Sequence, residues 1–224
     1  MLKAVIFDMD GVLIDSEPVH LKAHELIMKE LGLNYDPKYY EQFIGSTTEN
    51  MWNTMIRDFN LNKTHAQLDE MSDKIIKKLN AENGYPKIKG AADVVKKVHA
   101  AGYKVALASS SGLERIKKCT DEMGIYQEFD GIVSGMLVDN PKPAPDTFLK
   151  AAEMINVKPE ECIVVEDSDK GLVAAKNAKM AYVRFDGGAL KLKHEENVEY
   201  ILESFEGISA KYFEEIYARI MKEP

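Results

Sequence analysis

The sequence predicts a doubly wound α/β domain, a parallel sheet covered on both faces, with an all-helical insert after its first strand. Three observations carry this. Short apolar runs each close on polar or small residues, segments of helical period separate the later runs, and the stretch from about Glu17 to Leu79 holds amphipathic helix pattern with no strand signal.

The first run is "KAVIFD" from Lys3, where four apolar residues (Ala4, Val5, Ile6, Phe7) read as a buried strand. Next comes the insert, with "PVHLKAHELIMKELGL", "TENMWNTMIRDFNL" and "HAQLDEMSDKIIKKLN" as its helices and Ser46 with Glu49 as a capping box for the middle one. "NGYPKIKG" is turn-rich and marks the return to the first domain. The remaining strands are "YKVALASS" from Tyr103, "FDGIVSG" from Phe129, "CIVVED" from Cys162 and "MAYVRF" from Met180. Helices over Leu113 to Met123, Thr147 to Ile155 and Gly171 to Ala178 lie between them, which makes βαβ units. "VEYILES" is a short sixth strand before a terminal helix from Ser209 to Met221. The expected division is a Rossmann-like core of residues 1–15 and 84–224, with a helical cap of residues 16–83.

At 224 residues and 45% hydrophobic content the chain suits one sizeable core with a smaller companion. A net charge of −8 argues against nonspecific nucleic-acid binding, which needs a basic surface, while leaving room for an anionic substrate at a site whose field is locally inverted. No apolar run reaches the roughly 18–20 residues that span a bilayer, so no membrane partner is expected. The start "MLK" carries no signal-peptide pattern, and the two cysteines, Cys119 and Cys162, suggest reduced thiols in a cytoplasmic protein. A monomer is the expected state.

In open α/β sheets ligands bind at the carboxyl ends of the strands. That edge collects Asp8 and Asp10 after the first strand, Ser109 and Ser110 after the second, Lys142 in "NPKPAPD" after the third, and Glu166 and Asp167 after the fourth. Singly, each has an ordinary role as a helix cap, loop residue or solvated lysine. Together they are too many hard charged groups to gather without a ligand. If the chain stays extended, Asp8 and Asp10 point roughly the same way, and two like charges so placed need a cation, a shared proton or a reaction that uses both. Carboxylate oxygens suit Mg²⁺, which would sit between Asp8 and Asp167, and the hydroxyls, Lys142 and the helix start after Ser111 suit a phosphoryl group. Asp8 would then be a nucleophile and Asp10 a general acid and base.

The stretches "DMDGVLIDSEPVH", "ALASSS", "NPKPAPD" and "VEDSDKG" resemble the four motifs of the haloacid dehalogenase superfamily of phosphohydrolases. Within it the chain is similar to the branch of β-phosphoglucomutases and sugar-phosphate phosphatases, whose helical cap follows the first motif. The resemblance implies Asp8 as the phosphoryl acceptor, Asp10 as acid and base, and Ser109, Ser110 and Lys142 as phosphate-binding residues. It implies Mg²⁺ held by Asp8, the Asp10 carbonyl and Asp167 with Glu166 close by. It also implies Glu17 and His20 facing the site from the cap, where Gly45 and Thr47 belong to the glycine turn opening a cap helix. In mutases of this branch an arginine stands just past that turn; here "FIGSTTENMW" has none, and Arg57 lies two to three turns further on. A Mg²⁺-dependent phosphatase acting on a small phosphorylated metabolite is therefore expected, ahead of a phosphomutase and, remotely, a phosphoaspartate signalling module.

Overall fold

A computed structural model of the chain describes residues 1–34, 36–43, 48–189 and 198–222. The first strand, β1 (Ala4–Phe7), is buried throughout. After it come α1 (Glu17–Glu30), α2 (Pro37–Tyr40), α3 (Thr48–Asp58), α4 (His65–Asn83) and α5 (Ala91–Ala100). The alternating part follows as β2 (Lys104–Ser109), α6 (Leu113–Met123), β3 (Gly131–Ser134), α7 (Asp146–Met154), β4 (Cys162–Glu166), α8 (Asp169–Asn177) and β5 (Ala181–Phe185). A two-residue β6 (Ile201–Leu202) and α9 (Ala210–Ile220) close the described chain.

The strands form one six-stranded sheet in the order β3-β2-β1-β4-β5-β6, and every pairing is parallel. The chain fills one side of β1 and then crosses to the other, so the order reverses between β1 and β4. Parallel sheets open a crevice at such a reversal, on the carboxyl side. Register sharpens this: Phe7 pairs with Leu107 and with Val165, so the residues after Phe7 emerge beside the ends of β2 and β4.

Alternation along β1 divides its side chains between two hydrophobic layers. Ala4 and Ile6 pack with Phe148, Ala151 and Ala174 from α7 and α8. Phe7 faces the other way and meets Phe205 and Phe213 edge-on at 6.4 and 6.0 Å. Burial on both faces explains why these strands read as continuous apolar runs rather than alternating ones.

The chain divides into two compact units. One contains Met1–Asp15, Lys87–Gly188 and the described residues after 197; the other contains Ser16–Pro86. The second unit holds α1 to α4 around a core of Ile27, Tyr40, Phe43, Met51, Trp52, Met55 and Leu68. Among the described residues no helix is long and apolar enough to cross a membrane.

The helix α5 has no counterpart in the sequence reading, although its buried Val94, Val95 and Val98 have helical spacing. The expected box at Ser46 and Glu49 involves a residue outside the described ones, and a complete capping box opens α4: Thr64 Oγ1 accepts from Gln67 N at 3.3 Å, and Gln67 Oε1 accepts from Thr64 N at 2.9 Å. Thr64→Ala should therefore cost about 1 kcal/mol in urea unfolding of the helical unit. No loss would mean that the cap adds nothing to α4.

Candidate functional site

The backbone N–H of Asp8 donates to Val165 O at 2.9 Å, so parallel pairing runs one residue past β1 and carries the Asp8 side chain into the crevice. There Lys142 Nζ donates to Asp8 Oδ1 at 2.5 Å, to Glu166 Oε2 at 2.8 Å and to Ala108 O at 3.0 Å. All three ammonium protons have acceptors, and the Phe148 ring lies 4.5 Å beneath the charge. The Lys142, Asp8 and Glu166 side chains are 6%, 8% and 2% exposed, so this is an interior ion cluster.

Glu166 is held at both oxygens. Besides Lys142, it takes Ser168 N at 3.0 Å and Ser168 Oγ at 2.8 Å on Oε1. Ser168 Oγ also accepts from Gly171 N at 3.1 Å and so caps α8. A methyl group on Gly171 would lie 2.0 Å from Glu166 Cδ, so the helix must present a bare backbone there. Gly11 does the same for Asp167: its φ is +77°, and a Cβ on it would sit 1.9 Å from Asp167 Oδ2.

One carboxylate oxygen from each of Asp8, Glu166 and Asp167 lies within 4.8 Å of the others, and no other trio of His, Cys, Asp or Glu does so among the described residues. Electrostatics follow from the crowding. Burial, then the charge of Glu166, pushes Asp8 up to about 8 against the pull of Lys142. Burial and the charges of Glu166 and Asp8 hold Asp167 well above the ordinary carboxylate range. Burial also works against charge on Glu166, but Lys142 and Ser168 outweigh it and keep that carboxyl below its usual value. The Lys142 ammonium is likewise penalised by burial, and Asp8 and Glu166 more than compensate. The set is all hard oxygen, with Glu166 already committed to Lys142 and Ser168. It fits a divalent cation whose protein ligands are Asp8 and Asp167.

Asp10 does not join this cluster. The chain turns after Asp8, with Leu13 N and Ile14 N both bonding to Met9 O, and the Asp10 carboxylate meets Arg115 instead. Of the three ways to accommodate the two like charges, a cation between both carboxylates is not the arrangement here, because β1 ends at Phe7 and the Asp10 side chain turns to Arg115, which leaves the two aspartates in separate surroundings. Ser109 is buried and accepts from Ser111 N at 3.1 Å through its Oγ, whereas Ser110 is exposed. The helix α6 starts at Gly112 without a side-chain cap, which leaves its first N–H groups at the crevice for an anion.

In the helical unit, Glu17 accepts from Tyr40 OH at 3.2 Å and His20 is half-buried on α1. His24, one turn on, packs against Tyr40 and Trp52 at 4.8 and 4.9 Å and belongs to that unit's interior. Gly45 and Thr47 lie outside the described residues. The sequence reading missed Ser168, Ser111 and Arg115 as partners of the acids; the four-residue spacing of Ser111 and Arg115, one helical turn, was the available signal.

Residues 5–185 match the family model described as haloacid dehalogenase-like hydrolase. The chain is 33% identical over 181 residues to the fructose-1-phosphate phosphatase YqaB of Escherichia coli, covering 79% of this chain and 92% of that one. It is 30% identical over 188 residues to the β-phosphoglucomutase of Bacillus subtilis, covering 80% and 81%. The crystal structure of a β-phosphoglucomutase from Clostridium difficile superposes with a TM-score of 0.74 at 24% identity, covering both chains fully, a likeness of fold.

Gly171→Ala provides a test of the packing around Glu166. Helix propensity alone predicts a gain of about 1 kcal/mol for Ala over Gly. We expect a net loss of about 2 kcal/mol or more in urea unfolding, because Glu166 must leave Lys142 or α8 must shift. A stabilised variant would contradict the close packing of Glu166 on α8.

Proposed function

The chain belongs to the haloacid dehalogenase-like hydrolase family, and on that premise we propose that it is a Mg²⁺-dependent phosphatase that hydrolyses a small sugar phosphate through an aspartyl-phosphate on Asp8. The observation that carries this is the buried Asp8 carboxylate, clasped through Oδ1 by Lys142 at the sheet's switch point beside Glu166 and Asp167. A carboxylate fixed at one oxygen can present the other along a constant line of attack.

The N–H groups opening α6 and the Ser109 loop receive the phosphoryl oxygens. The free oxygen of Asp8 bonds to phosphorus as the ester P–O bond breaks, and Asp10 gives its proton to the departing alkoxide. Asp10 then takes a proton from water, the water oxygen bonds to phosphorus, and the acyl-phosphate P–O bond returns its electrons to Asp8. Lys142 balances charge on Asp8 and Glu166 throughout. Mg²⁺, held by Asp8 and Asp167 with the Asp10 carbonyl, would neutralise developing charge on the transferring group.

The sugar-phosphate reading is supported by two relatives, one named a fructose-1-phosphate phosphatase and the other a β-phosphoglucomutase. Hydrolysis is favoured over mutase chemistry by the cap-unit cations. Arg57 is 73% exposed and pairs with its neighbour Asp58, and Lys74 and Lys78 pair with Glu70 and Glu82 on their own helix. A mutase needs a second phosphate grip, and none of these is held ready for one. Glu17 and His20 are the residues we assign to substrate contact from the cap.

The deciding experiment offers β-glucose 1-phosphate with a trace of glucose 1,6-bisphosphate, then a panel of sugar phosphates, and follows free phosphate and glucose 6-phosphate separately. Phosphate without isomerisation supports the hydrolase; glucose 6-phosphate running ahead of phosphate makes it a mutase. Asp8→Asn should abolish turnover, and activity within about tenfold of the parent, only about 1.4 kcal/mol of barrier, would remove Asp8 from its role.

Metal binding has a pH signature. Asp8, raised from 3.8 to about 8, binds its proton more tightly folded than unfolded, so its contribution to stability is greatest below about 4 and fades as pH rises to about 8. A cation must displace that proton, so MgCl₂ should raise the melting temperature more at pH 8 than at pH 6. An equal or larger shift at pH 6 would place the cation elsewhere.

A further inference from the structure

We propose that Arg115, completed by Ser111, is a positioning residue that fixes the orientation of the Asp10 carboxylate. The inference rests on the phosphatase reading above and adds to it a side chain from a different element.

The geometry is a closed ring. Arg115 Nη1 donates to Asp10 Oδ2 and Nη2 to Asp10 Oδ1, each at 2.6 Å, a two-point grip that matches guanidinium to carboxylate. Ser111 Oγ donates to Asp10 Oδ2 at 2.9 Å and itself accepts from Arg115 Nη1. The ring is anchored beyond its own members. Ser134 Oγ, at the end of β3, donates to Ser111 O at 2.7 Å, while Arg115 stands in the first turn of α6, whose Ile116 and Cys119 are buried in the core. On the other side Gly11, at φ +77°, bonds to Ile14 O at 2.7 Å and closes the turn that carries Asp10.

Asp10 stands on a turn with its side chain 32% exposed, where χ1 and χ2 are the freedom that a partner can restrict. A planar fork that engages both oxygens removes that freedom, whereas a lysine at the same place would give one point of attachment and leave rotation about it. Orientation matters for an acid-base group because proton transfer needs the donor and acceptor atoms within hydrogen-bond reach, and a displacement of about 1 Å can cost about a hundredfold. The pairing also separates the two aspartates, since Asp8 is held by Lys142 and Asp10 by Arg115.

The test is a double-mutant cycle of Asp10→Asn and Arg115→Met, with Arg115→Lys as the conservative variant and melting curves for all. Rates are measured on a sugar phosphate and on p-nitrophenyl phosphate, whose leaving group needs little protonation. We expect Arg115→Met to lower kcat on the sugar phosphate about tenfold or more with KM within about twofold, and to lower it less on p-nitrophenyl phosphate. Arg115→Lys should recover part of the loss. In the Asp10→Asn background Arg115→Met should change kcat by less than about twofold, because nothing remains to orient. Equal losses in both backgrounds, or on both substrates, would show Arg115 acting on the fold at large and would sink the proposal. A raised KM with unchanged kcat would make it a direct substrate contact and sink it too. If Arg115→Met does not fold, Arg115→Lys and Ser111→Ala carry the same cycle. A wild-type protein without Asp8-dependent phosphatase activity overturns the phosphatase reading and the positioning role together; an active wild type with an additive cycle overturns the positioning role alone.

Discussion

The interior ion cluster of Asp8, Lys142 and Glu166 is the constraint on which the rest of this site depends. Two carboxylates and one ammonium lie almost fully out of water, and the half-buried Asp167 adds a third acid at its edge. Charges in such a place persist only when each is paired and its remaining hydrogen-bonding capacity is used. Lys142 meets that condition with three acceptors and Glu166 with Lys142 and Ser168. Removing any one partner would strand another, so the β1–β4 register, the segment carrying Lys142 and the start of α8 are specified jointly.

The glycines near the cluster follow from the same constraint. Gly171 leaves room for Glu166 against α8, and Gly11 leaves room for Asp167 while taking a backbone conformation that side-chain-bearing residues avoid. Neither is a turn signal alone. Each is a place where a carboxylate occupies the space of a Cβ, which joins the charge pattern of the site to the chain's local geometry.

The parallel sheet was legible in the sequence because burial on both faces writes each strand as an apolar run, and because the chain's βαβ rhythm puts every strand's carboxyl end at one edge. That let Asp8, Ser109, Lys142, Glu166 and Asp167 be read as neighbours although Asp8 and Lys142 are 134 residues apart. The direction of the Asp10 side chain was not legible. Strand alternation would have set it beside Asp8, but pairing stops and a turn begins, and the partner that turns it away stands 105 residues later on a helix. Helix text reports which face of α6 is apolar. It does not report which polar residue on the first turn meets an acid from another element. The α4 cap shows the same limit at short range, since Thr64 and Gln67 fit the pattern as well as Ser46 and Glu49 do.

On the proposed phosphatase reading, a chain of net charge −8 with acids crowded at one sheet edge would still have to attract a phosphate ester. The two cations that clasp Asp8 and Asp10 do not supply the attraction unaided. Lys142 is taken up by Asp8 and Glu166, and Arg115 by Asp10. Their charges cancel those of the acids they hold, which lowers the repulsion an incoming dianion meets. Attraction has to come from elsewhere. The uncapped N–H groups of α6 provide one source, acting over the first turn of the helix. The other is the site formed by Asp8 and Asp167, whose raised pKa values mark carboxylates that burial and mutual repulsion have left short of positive charge. A divalent cation there would relieve the acids and draw the phosphoryl group in one act, making substrate affinity dependent on metal occupancy. On that reading electrostatics would set the order: the cation would have to be in place before the dianion bound tightly, because without it the ester would approach a cluster whose own cations are already committed.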